Sequence, residues 1–150
     1  MRNCTNVEFL DTNVLVYAAS DKTADQQKAG VARDLLRRGP SEFAISLQVL
    51  QEFYVAARAP RKLALAHEEA LRFCGQWRAF TVLEPTLKLF EAALHLCAQY
   101  QIGYYDAAIL AAARLLGCTK VHSEDLNDGQ DYDGVHVENP FRGIASAPPP

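Results

Sequence analysis

Apolar residues along this chain fall into short continuous runs and into longer stretches in which they recur every three or four positions. The short runs are typical of buried strands, and the longer repeat is typical of helices that bury one face. The predicted strands are residues 7–10, 42–46, 81–83, 119–122 and 135–137. The predicted helices are residues 14–19, 25–38, 47–58, 63–80, 85–103 and 107–116. This alternation predicts an α/β fold, with a central parallel sheet of about five strands and helices on both faces.

Residues that commonly cap or interrupt helices mark the ends of these stretches. Ser46 is placed to cap the helix at residues 47–58, and Pro60 limits its other end. Gly103 and Gly117 are predicted to end the last two helices. One of these helices repeats apolar residues on a single face, at Leu87, Phe90, Leu94 and Cys97.

The length of 150 residues suits one domain with a single core, and an apolar fraction of 49% is ample for that core. We predict one domain over residues 1–143 and a small, Pro-rich, disordered tail at residues 144–150. The chain opens without the features of a signal peptide, and its apolar runs are shorter than the roughly 18 residues of a membrane helix. The expected protein is soluble and cytoplasmic, with no membrane partner.

Cysteine use and net charge exclude some classes of protein. The four cysteines are scattered, with no pair at zinc-ligand spacing, so Cys74, Cys97 and Cys118 are predicted to be reduced packing residues. The formal net charge of −3 argues against a large electrostatic grip on nucleic acid. It leaves nucleic acid open as a substrate, because bound divalent cations can offset local acidic charge.

Three acidic residues stand at boundaries between predicted elements. Asp11 follows the first strand, Asp125 follows the fourth, and Asp106 stands at the start of the last helix. Ligands of open α/β sheets bind at the carboxyl ends of the strands, so these side chains are expected at one edge of the sheet. Each of these residues also has an alternative, purely structural interpretation. Asp11 and Asp106 could cap helices, and Asp125 could be an ordinary loop residue.

A fourth acid, Glu52, lies within the helix at residues 47–58. A projection at 3.6 residues per turn places it nearly opposite the apolar face, so periodicity predicts a solvated glutamate. Several carboxylates in one place repel each other unless a cation joins them. Oxygen-only ligation is what Mg²⁺ or Mn²⁺ prefers.

Four segments, taken in order, resemble the motifs of PIN-domain nucleases and in particular of the VapC-type toxins of bacterial toxin–antitoxin pairs. They are LDTN at residues 10–13, LQEF at residues 50–53, YDAAILAAA at residues 105–113 and SEDLNDG at residues 123–129. A closing VENPF at residues 137–141 resembles the last strand of the same toxins. The resemblance spans residues 7–141, and every acidic position of the pattern is present.

The resemblance implies a compact three-layer α/β/α sandwich and a metal-dependent endoribonuclease that uses Mg²⁺ or Mn²⁺. It also implies a homodimer, an RNA substrate and a cognate antitoxin that inhibits the enzyme. Carried over by position, the catalytic and metal-binding acids are Asp11, Glu52, Asp106 and Asp125. The supporting residues are Asn13 and Ser123, which hold the carboxylates through hydrogen bonds, and Asp128 as an auxiliary acid.

Other readings of these residues stay open at the level of sequence. A non-catalytic RNA- or protein-binding module of the same fold is the main alternative. A haloacid-dehalogenase-like phosphatase needs Asp-x-Asp after the first strand, and this chain has Asn13 in the third position. A calcium loop starting at Asp125 fails, because Gly129 comes one position early and no glutamate closes the loop. Arg58, Arg61 and Lys62 could bind phosphate or simply form a solvated helix end.

Overall fold

The computed structural model describes residues 7–145, and a six-stranded sheet forms its centre. The strands are β1 (Glu8–Leu10), β2 (Phe43–Ser46), β3 (Thr81–Leu83), β4 (Lys120–His122), β5 (Asp131–Tyr132) and β6 (Val135–Glu138). Their order across the sheet is β3-β2-β1-β4-β6-β5. All neighbouring pairs are parallel except β5 and β6, which are antiparallel. The five predicted strands and the α/β class are confirmed.

The sixth strand, β5, is absent from the sequence prediction. It has two residues, Asp131 and Tyr132, and only Tyr132 is buried. So short a segment has no periodicity of its own. It forms because a tight turn at Gly134, which adopts a positive φ of 94°, lets β5 pair with β6 at the edge of the sheet.

Between residues 7 and 145 the chain forms six α-helices, which pack around the sheet. They are α1 (Thr12–Ala19), α2 (Gln26–Leu36), α3 (Leu47–Arg58), α4 (His67–Trp77), α5 (Leu87–Tyr100) and α6 (Tyr104–Leu115). Helix α1 packs against α2 and α3, and α3 packs against α4. Helices α5 and α6 pack against each other, and α6 contacts β2, β4 and β6. Among the described residues, no helix is both long and apolar enough to cross a membrane.

Most helix boundaries differ from the sequence prediction by one to four residues, and α6 in particular begins at Tyr104, before the predicted residue 107. Two of the differences have a clear cause in the backbone. The helix predicted from residue 63 begins only at His67, because Leu63 and Leu65 donate backbone hydrogen bonds to the last turn of α3 instead. Helix α5 ends at Tyr100, and Gln101, with φ 54°, takes the left-handed position predicted for Gly103. Gly103 has an extended conformation and is the N-cap of α6. The glycine therefore marks the start of the next helix, not the end of α5.

The face of α5 that the sequence highlights is not the buried one. The side chains that α5 buries are Leu89, Ala93 and Leu96. Of the predicted stripe, Leu87, Phe90 and Leu94 are exposed at 72%, 45% and 46%. Both faces are apolar, so periodicity alone could not choose between them.

The predictions for the cysteines and for the Ser46 cap are confirmed, and the structure does not describe most of the predicted tail. Cys118 belongs to the buried core, and Cys74 and Cys97 pack against it, as expected for packing residues. Ser46 caps α3 by accepting a hydrogen bond from the backbone of Val49 at 3.4 Å, also as expected. Most of the predicted tail, residues 146–150, lies outside the described residues.

Candidate active site

The chain changes direction across the sheet between β1 and β4. From β1 it proceeds to β2 and β3 on one side, and it returns to form β4 on the other side of β1. Such a switch point opens a crevice at the carboxyl ends of the two strands, where ligands of α/β proteins bind. Asp11 follows β1 and extends the ladder by one bond, since its N–H donates to the His122 carbonyl at 3.0 Å. The predicted edge and the switch point therefore coincide.

The carboxylate of Asp11 is held on both of its oxygens. Oδ1 accepts a hydrogen bond from the backbone N–H of Thr12 at 2.7 Å, and Oδ2 accepts one from the Ser123 hydroxyl at 2.7 Å. Asp11 is thus the N-cap residue of α1 and also part of the acidic edge, so its two readings are compatible. Burial raises its pKa to about 6, and the nearby charges of Asp125 and Glu52 add to that rise. This carboxylate is destabilised in its charged form.

The loop after β4 brings Asp125 beside the start of α1. The Ser123 hydroxyl accepts hydrogen bonds from the N–H groups of Asp125 at 3.1 Å and Leu126 at 3.3 Å while it donates to Asp11. Asn13 donates from Nδ2 to the Asp125 carboxylate at 3.2 Å and accepts from the Glu124 N–H at 3.3 Å. The loop is therefore tied to the start of α1 by two residues. Ser123 binds Asp11, and Asn13 binds Asp125 and Glu124.

Glu52 reaches the same edge from α3. Thr12 donates its hydroxyl to Glu52 Oε2 at 3.3 Å, and Gln48 donates from Nε2 to Glu52 Oε1 at 2.6 Å. Glu52 is exposed, as periodicity predicts, yet the exposed face that carries it borders Asp11. The solvated interpretation and the site interpretation are compatible, because this face of α3 forms a wall of the cleft.

Asp106 lies in the first turn of α6 and is exposed. The N-cap of this helix is Gly103, so Asp106 does not occupy the cap position that the alternative reading required. Partial desolvation raises the pKa of Asp106, and the charge of Asp125 raises it further. Asp106 and Asp125 are thus close enough to interact.

Asp128, the proposed auxiliary acid, is engaged elsewhere. Its carboxylate accepts a hydrogen bond from the Asn139 N–H at 2.8 Å and forms an ion pair with Arg142 at 3.0 Å. These contacts tie the acidic loop to the segment after β6. The structure shows no contact between Asp128 and the other four acids.

A second group of residues, missed at the level of sequence, fixes the same loop. Lys28 of α2 forms an ion pair with Glu124 at 2.6 Å, and Tyr17 donates its hydroxyl to Glu124 at 2.9 Å. The Lys28 side chain is only 10% exposed, and the ion pair with Glu124 offsets the cost of burying its charge. A projection at 3.6 residues per turn places Lys28 on the same face as Val31 and Leu35, which marks it as a lysine on the inward face of the helix. Its partner in the acidic loop is revealed only by the fold.

These elements enclose an open cleft of about 840 Å³. Thr12, Asn13, Glu52 and Asp125 are among the residues that line this cleft. Three cations line it as well, namely Lys22, Arg61 and Lys62. The cleft, called the acidic cleft below, therefore places carboxylates and cations in one depression.

Whether these carboxylates suit a metal ion can be tested on their arrangement. Within residues 7–145, no three His, Cys, Asp or Glu side chains converge on a single point that could hold a metal ion. Side-chain hydrogen bonds instead connect Asp11 to Ser123 and Asp125 to Asn13. The donors are oxygen atoms only, and their repulsion contributes to the raised pKa of Asp11. A hydrated Mg²⁺ fits such a set, because it is usually held by one or two carboxylates and retains several waters.

Comparison with solved structures gives the fold. A toxin–antitoxin complex from Klebsiella pneumoniae is 23% identical with a TM-score of 0.66, and the match covers 89% of this chain and 98% of that one. DNA-bound VapBC from Salmonella typhimurium is 22% identical, with a TM-score of 0.66 and coverage of 88% and 96%. VapC20 of Mycobacterium tuberculosis, a sarcin-ricin loop cleaving toxin, is 19% identical, with a TM-score of 0.63 and coverage of 79% and 89%.

Comparison at the level of sequence gives the family. No curated protein matches the chain. Residues 9–128, more than half of the chain, match the PIN domain family, and this region contains Asp11, Glu52, Asp106 and Asp125. With the parallel sheet, its switch point and the acidic cleft in place, the chain belongs to the PIN domain family.

Proposed function

We propose that this chain is a metal-dependent endoribonuclease and the toxin of a toxin–antitoxin pair. The observation that carries the proposal is the proximity of Asp11, Glu52 and Asp125 at the switch point of the sheet. Burial raises the pKa of Asp11 there, and the charges of Asp125 and Glu52 raise it further. Asp106 interacts with the same group through Asp125. One of the toxins whose structures are similar to this chain cleaves the sarcin-ricin loop, and this similarity supports RNA as the substrate.

The cations of the acidic cleft support a phosphodiester substrate. Lys22, Arg61 and Lys62 line the cleft that Glu52 and Asp125 also line. Within residues 7–145, the side chains of these three cations form no ion pair or hydrogen bond. Arg58 differs, because it donates to the Leu65 carbonyl at 3.2 Å. An extended nucleic-acid backbone needs cations along its path, and unpaired lysine and arginine side chains supply them.

The roles of the side chains follow from their contacts. One or two of the four carboxylates would ligate Mg²⁺ or Mn²⁺ directly, and the others would hold its coordinated waters. The four are Asp11, Glu52, Asp106 and Asp125. When bound, such an ion polarises the scissile phosphate and lowers the pKa of a coordinated water. Ser123 and Asn13 fix the orientation of Asp11 and Asp125, and Gln48 and Thr12 fix that of Glu52. Preorganised carboxylates of this kind lose little entropy when the metal and the substrate bind.

Cleavage of RNA by the purified protein tests the proposal. Protein free of any antitoxin should cleave structured ribosomal or transfer RNA in millimolar Mg²⁺ or Mn²⁺ and should stop in EDTA. Asp11→Asn should abolish cleavage. Glu91→Gln is the matched control, because Glu91 is an exposed carboxylate of α5 that lines neither the acidic cleft nor its neighbourhood. Cleavage that persists in EDTA, or in Asp11→Asn, would refute the metal mechanism.

The non-catalytic alternative predicts a different result. A binding module would retain RNA with measurable affinity and leave it intact under all metal conditions. Wild-type protein that binds these RNAs without cutting them, at saturating Mn²⁺, would favour that reading over the nuclease.

An antitoxin is the proposed partner of the cleft. Carboxylates without a metal ion attract a guanidinium, whose planar fork can pair with two of them at once. We expect an antitoxin arm to place Arg or Lys near Asp11, Glu52 or Asp106 and to block cleavage. A complex whose contacts avoid the acidic cleft would contradict this mode of inhibition.

A homodimer is the proposed assembly, and the exposed stripe on α5 supports it. Leu87, Phe90 and Leu94 lie on one face of the helix and are exposed. Contiguous exposed apolar patches commonly mark interfaces. We expect a dimer in sedimentation equilibrium and a shift toward monomer for Leu94→Lys. An unchanged dimer in this variant would place the interface elsewhere.

A further inference from the structure

Beside the acidic cleft lies a second, smaller depression. It has a volume of about 260 Å³ and is lined by Gln48, Gln51, Glu52 and Tyr105. Glu52 lines both depressions, so the two share a wall. The reaction outlined above uses Glu52 and Gln48 of this lining, but it gives no role to Tyr105 or Gln51.

An aromatic ring forms part of this depression. Tyr105 is 70% exposed, although it precedes Asp106 in the first turn of α6. Its ring meets Tyr104 edge-on, with 5.2 Å between the centroids and 77° between the planes. An exposed ring beside a phosphodiester site offers a face on which an unpaired base can stack.

Two amides complete the lining. Gln48 donates to Glu52 Oε1 at 2.6 Å and to the Tyr105 carbonyl at 3.3 Å, so its amide holds these two residues together. Gln51 lies one turn further along α3 and is exposed. Within the described chain its side-chain amide makes no hydrogen bond, which leaves one donor group and one acceptor for a ligand.

We propose that this depression is a nucleobase subsite, in which Tyr105 stacks on one unpaired base of the RNA and Gln51 hydrogen-bonds the edge of that base. The proposal rests on the nuclease function proposed above for the adjoining cleft. Because Glu52 borders both depressions, the stacked base belongs to a nucleotide next to the scissile phosphate. A glutamine amide pairs best with the adjacent donor and acceptor of adenine, so adenine is the expected base.

A fluorescent base detects stacking without any cleavage. The probe is a set of single-stranded RNA decamers, each with 2-aminopurine at one position, mixed with wild-type protein in EDTA. We expect quenching at one position in the bound strand. Tyr105→Phe should retain this quenching because it retains the ring, and Tyr105→Ala should lose it and bind roughly 5- to 150-fold more weakly. Since Tyr105 is exposed, neither variant should alter the fold, and thermal unfolding checks this.

Base preference tests the part assigned to Gln51. Sequencing of the ends produced from a random RNA pool in Mn²⁺ should show an adenine preference at one nucleotide beside the cut. Gln51→Ala should reduce that preference, whereas Gln76→Ala, at an exposed glutamine of α4, should leave it unchanged.

The outcomes separate the subsite from the nuclease. Tyr105→Ala with wild-type quenching and affinity would overturn the stacking role, whatever the enzyme cleaves. A preference that Gln51→Ala leaves intact would overturn the reading of the base edge. Conversely, wild-type protein that shows Tyr105-dependent quenching but cuts no RNA would support the subsite and refute the proposed nuclease.

Discussion

The buried carboxylate of Asp11 makes the metal-free protein less stable at neutral pH, and Asp11→Asn should relieve this cost. The pKa of Asp11 is 3.8 in an ordinary environment and about 6 in the fold. Well below pH 3.8 the Asp11 carboxyl is protonated in both the folded and the unfolded protein, so it does not change the free energy of unfolding. Between the two values the unfolded chain loses the proton while the folded chain keeps it, so the free energy of unfolding falls as pH rises. Above about 6 the loss is complete.

The size of the effect follows from the two pKa values. At about 1.36 kcal/mol per pH unit, a rise from 3.8 to about 6 corresponds to about 3 kcal/mol. Asn also loses part of the hydrogen bonding to Ser123 and Thr12, which costs roughly 1 kcal/mol. That cost is the same at every pH. At pH 4 a small part of this effect is already present, because the unfolded chain titrates at 3.8. The difference in stability between Asp11→Asn and wild type should therefore change by about 2.5 kcal/mol in favour of the variant between pH 4 and pH 8.

Urea unfolding in EDTA at several pH values measures this difference, and thermal unfolding provides a second measurement. A change of about 2.5 kcal/mol corresponds to roughly 5–10 °C in melting temperature for a domain of this size. The exposed Asp21 supplies a control for the loss of one negative charge, and Asp21→Asn should leave both measurements close to those of wild type. A difference between Asp11→Asn and wild type that stays flat from pH 4 to pH 8 would refute the reasoning. In that case the carboxylate would be as well solvated in the fold as in the unfolded chain.

Three further predictions concern the neighbours of Asp11. Glu52→Gln should abolish RNA cleavage and leave the far-ultraviolet circular dichroism spectrum unchanged, and near-wild-type activity would return Glu52 to a purely solvated role. Asp106→Asn should raise the melting temperature in EDTA by less than Asp11→Asn does, because Asp106 is exposed. The variant should also gain less melting temperature than wild type from millimolar Mg²⁺. If the variant and wild type have identical melting curves in EDTA and in Mg²⁺, Asp106 is not part of the metal site. Lys28→Met leaves Glu124 without its cation, although the Tyr17 hydroxyl still donates to it. The variant should cost about 3 kcal/mol in urea unfolding and lower the cleavage rate, since Asp125 is adjacent to Glu124. Unchanged cleavage would show that the ion pair has no influence on the loop.

The sequence predicts the sheet and its functional edge well, because each of these depends on local patterns. Apolar runs identify the strands, and the rule for parallel sheets places Asp11 and Asp125 at the same edge. The contact between the Asp11 N–H and the His122 carbonyl agrees with that placement. The order of the strands is a different matter. It depends on which strand pairs with β1, and nothing in the run at residues 119–122 identifies that partner.

Periodicity separates buried from exposed faces only where the two differ in polarity. On α3 the faces differ, and Glu52 is exposed as predicted. On α5 they do not differ, and the stripe at Leu87, Phe90 and Leu94 faces solvent. The Gln48–Glu52 pair could have been found from sequence, since residues four apart on a helix are neighbours. The contact of Lys28 with Glu124 could not, because the two are 96 positions apart in the chain.

The net charge of the chain, read from the sequence, says little about this site. A formal charge of −3 argues against a large electrostatic grip on nucleic acid, but it averages over every face of the molecule. The fold places Lys22, Arg61 and Lys62 on the wall of one cleft with Glu52 and Asp125. Binding of a polyanion depends on the charges within about one Debye length, roughly 8–10 Å in physiological salt, so distant acids on other faces count little. Neutralising Arg61 and Lys62 together should therefore weaken RNA binding and make it less dependent on salt. This is expected even though the whole chain carries a net negative charge. An unchanged salt dependence would mean that the strand avoids this wall.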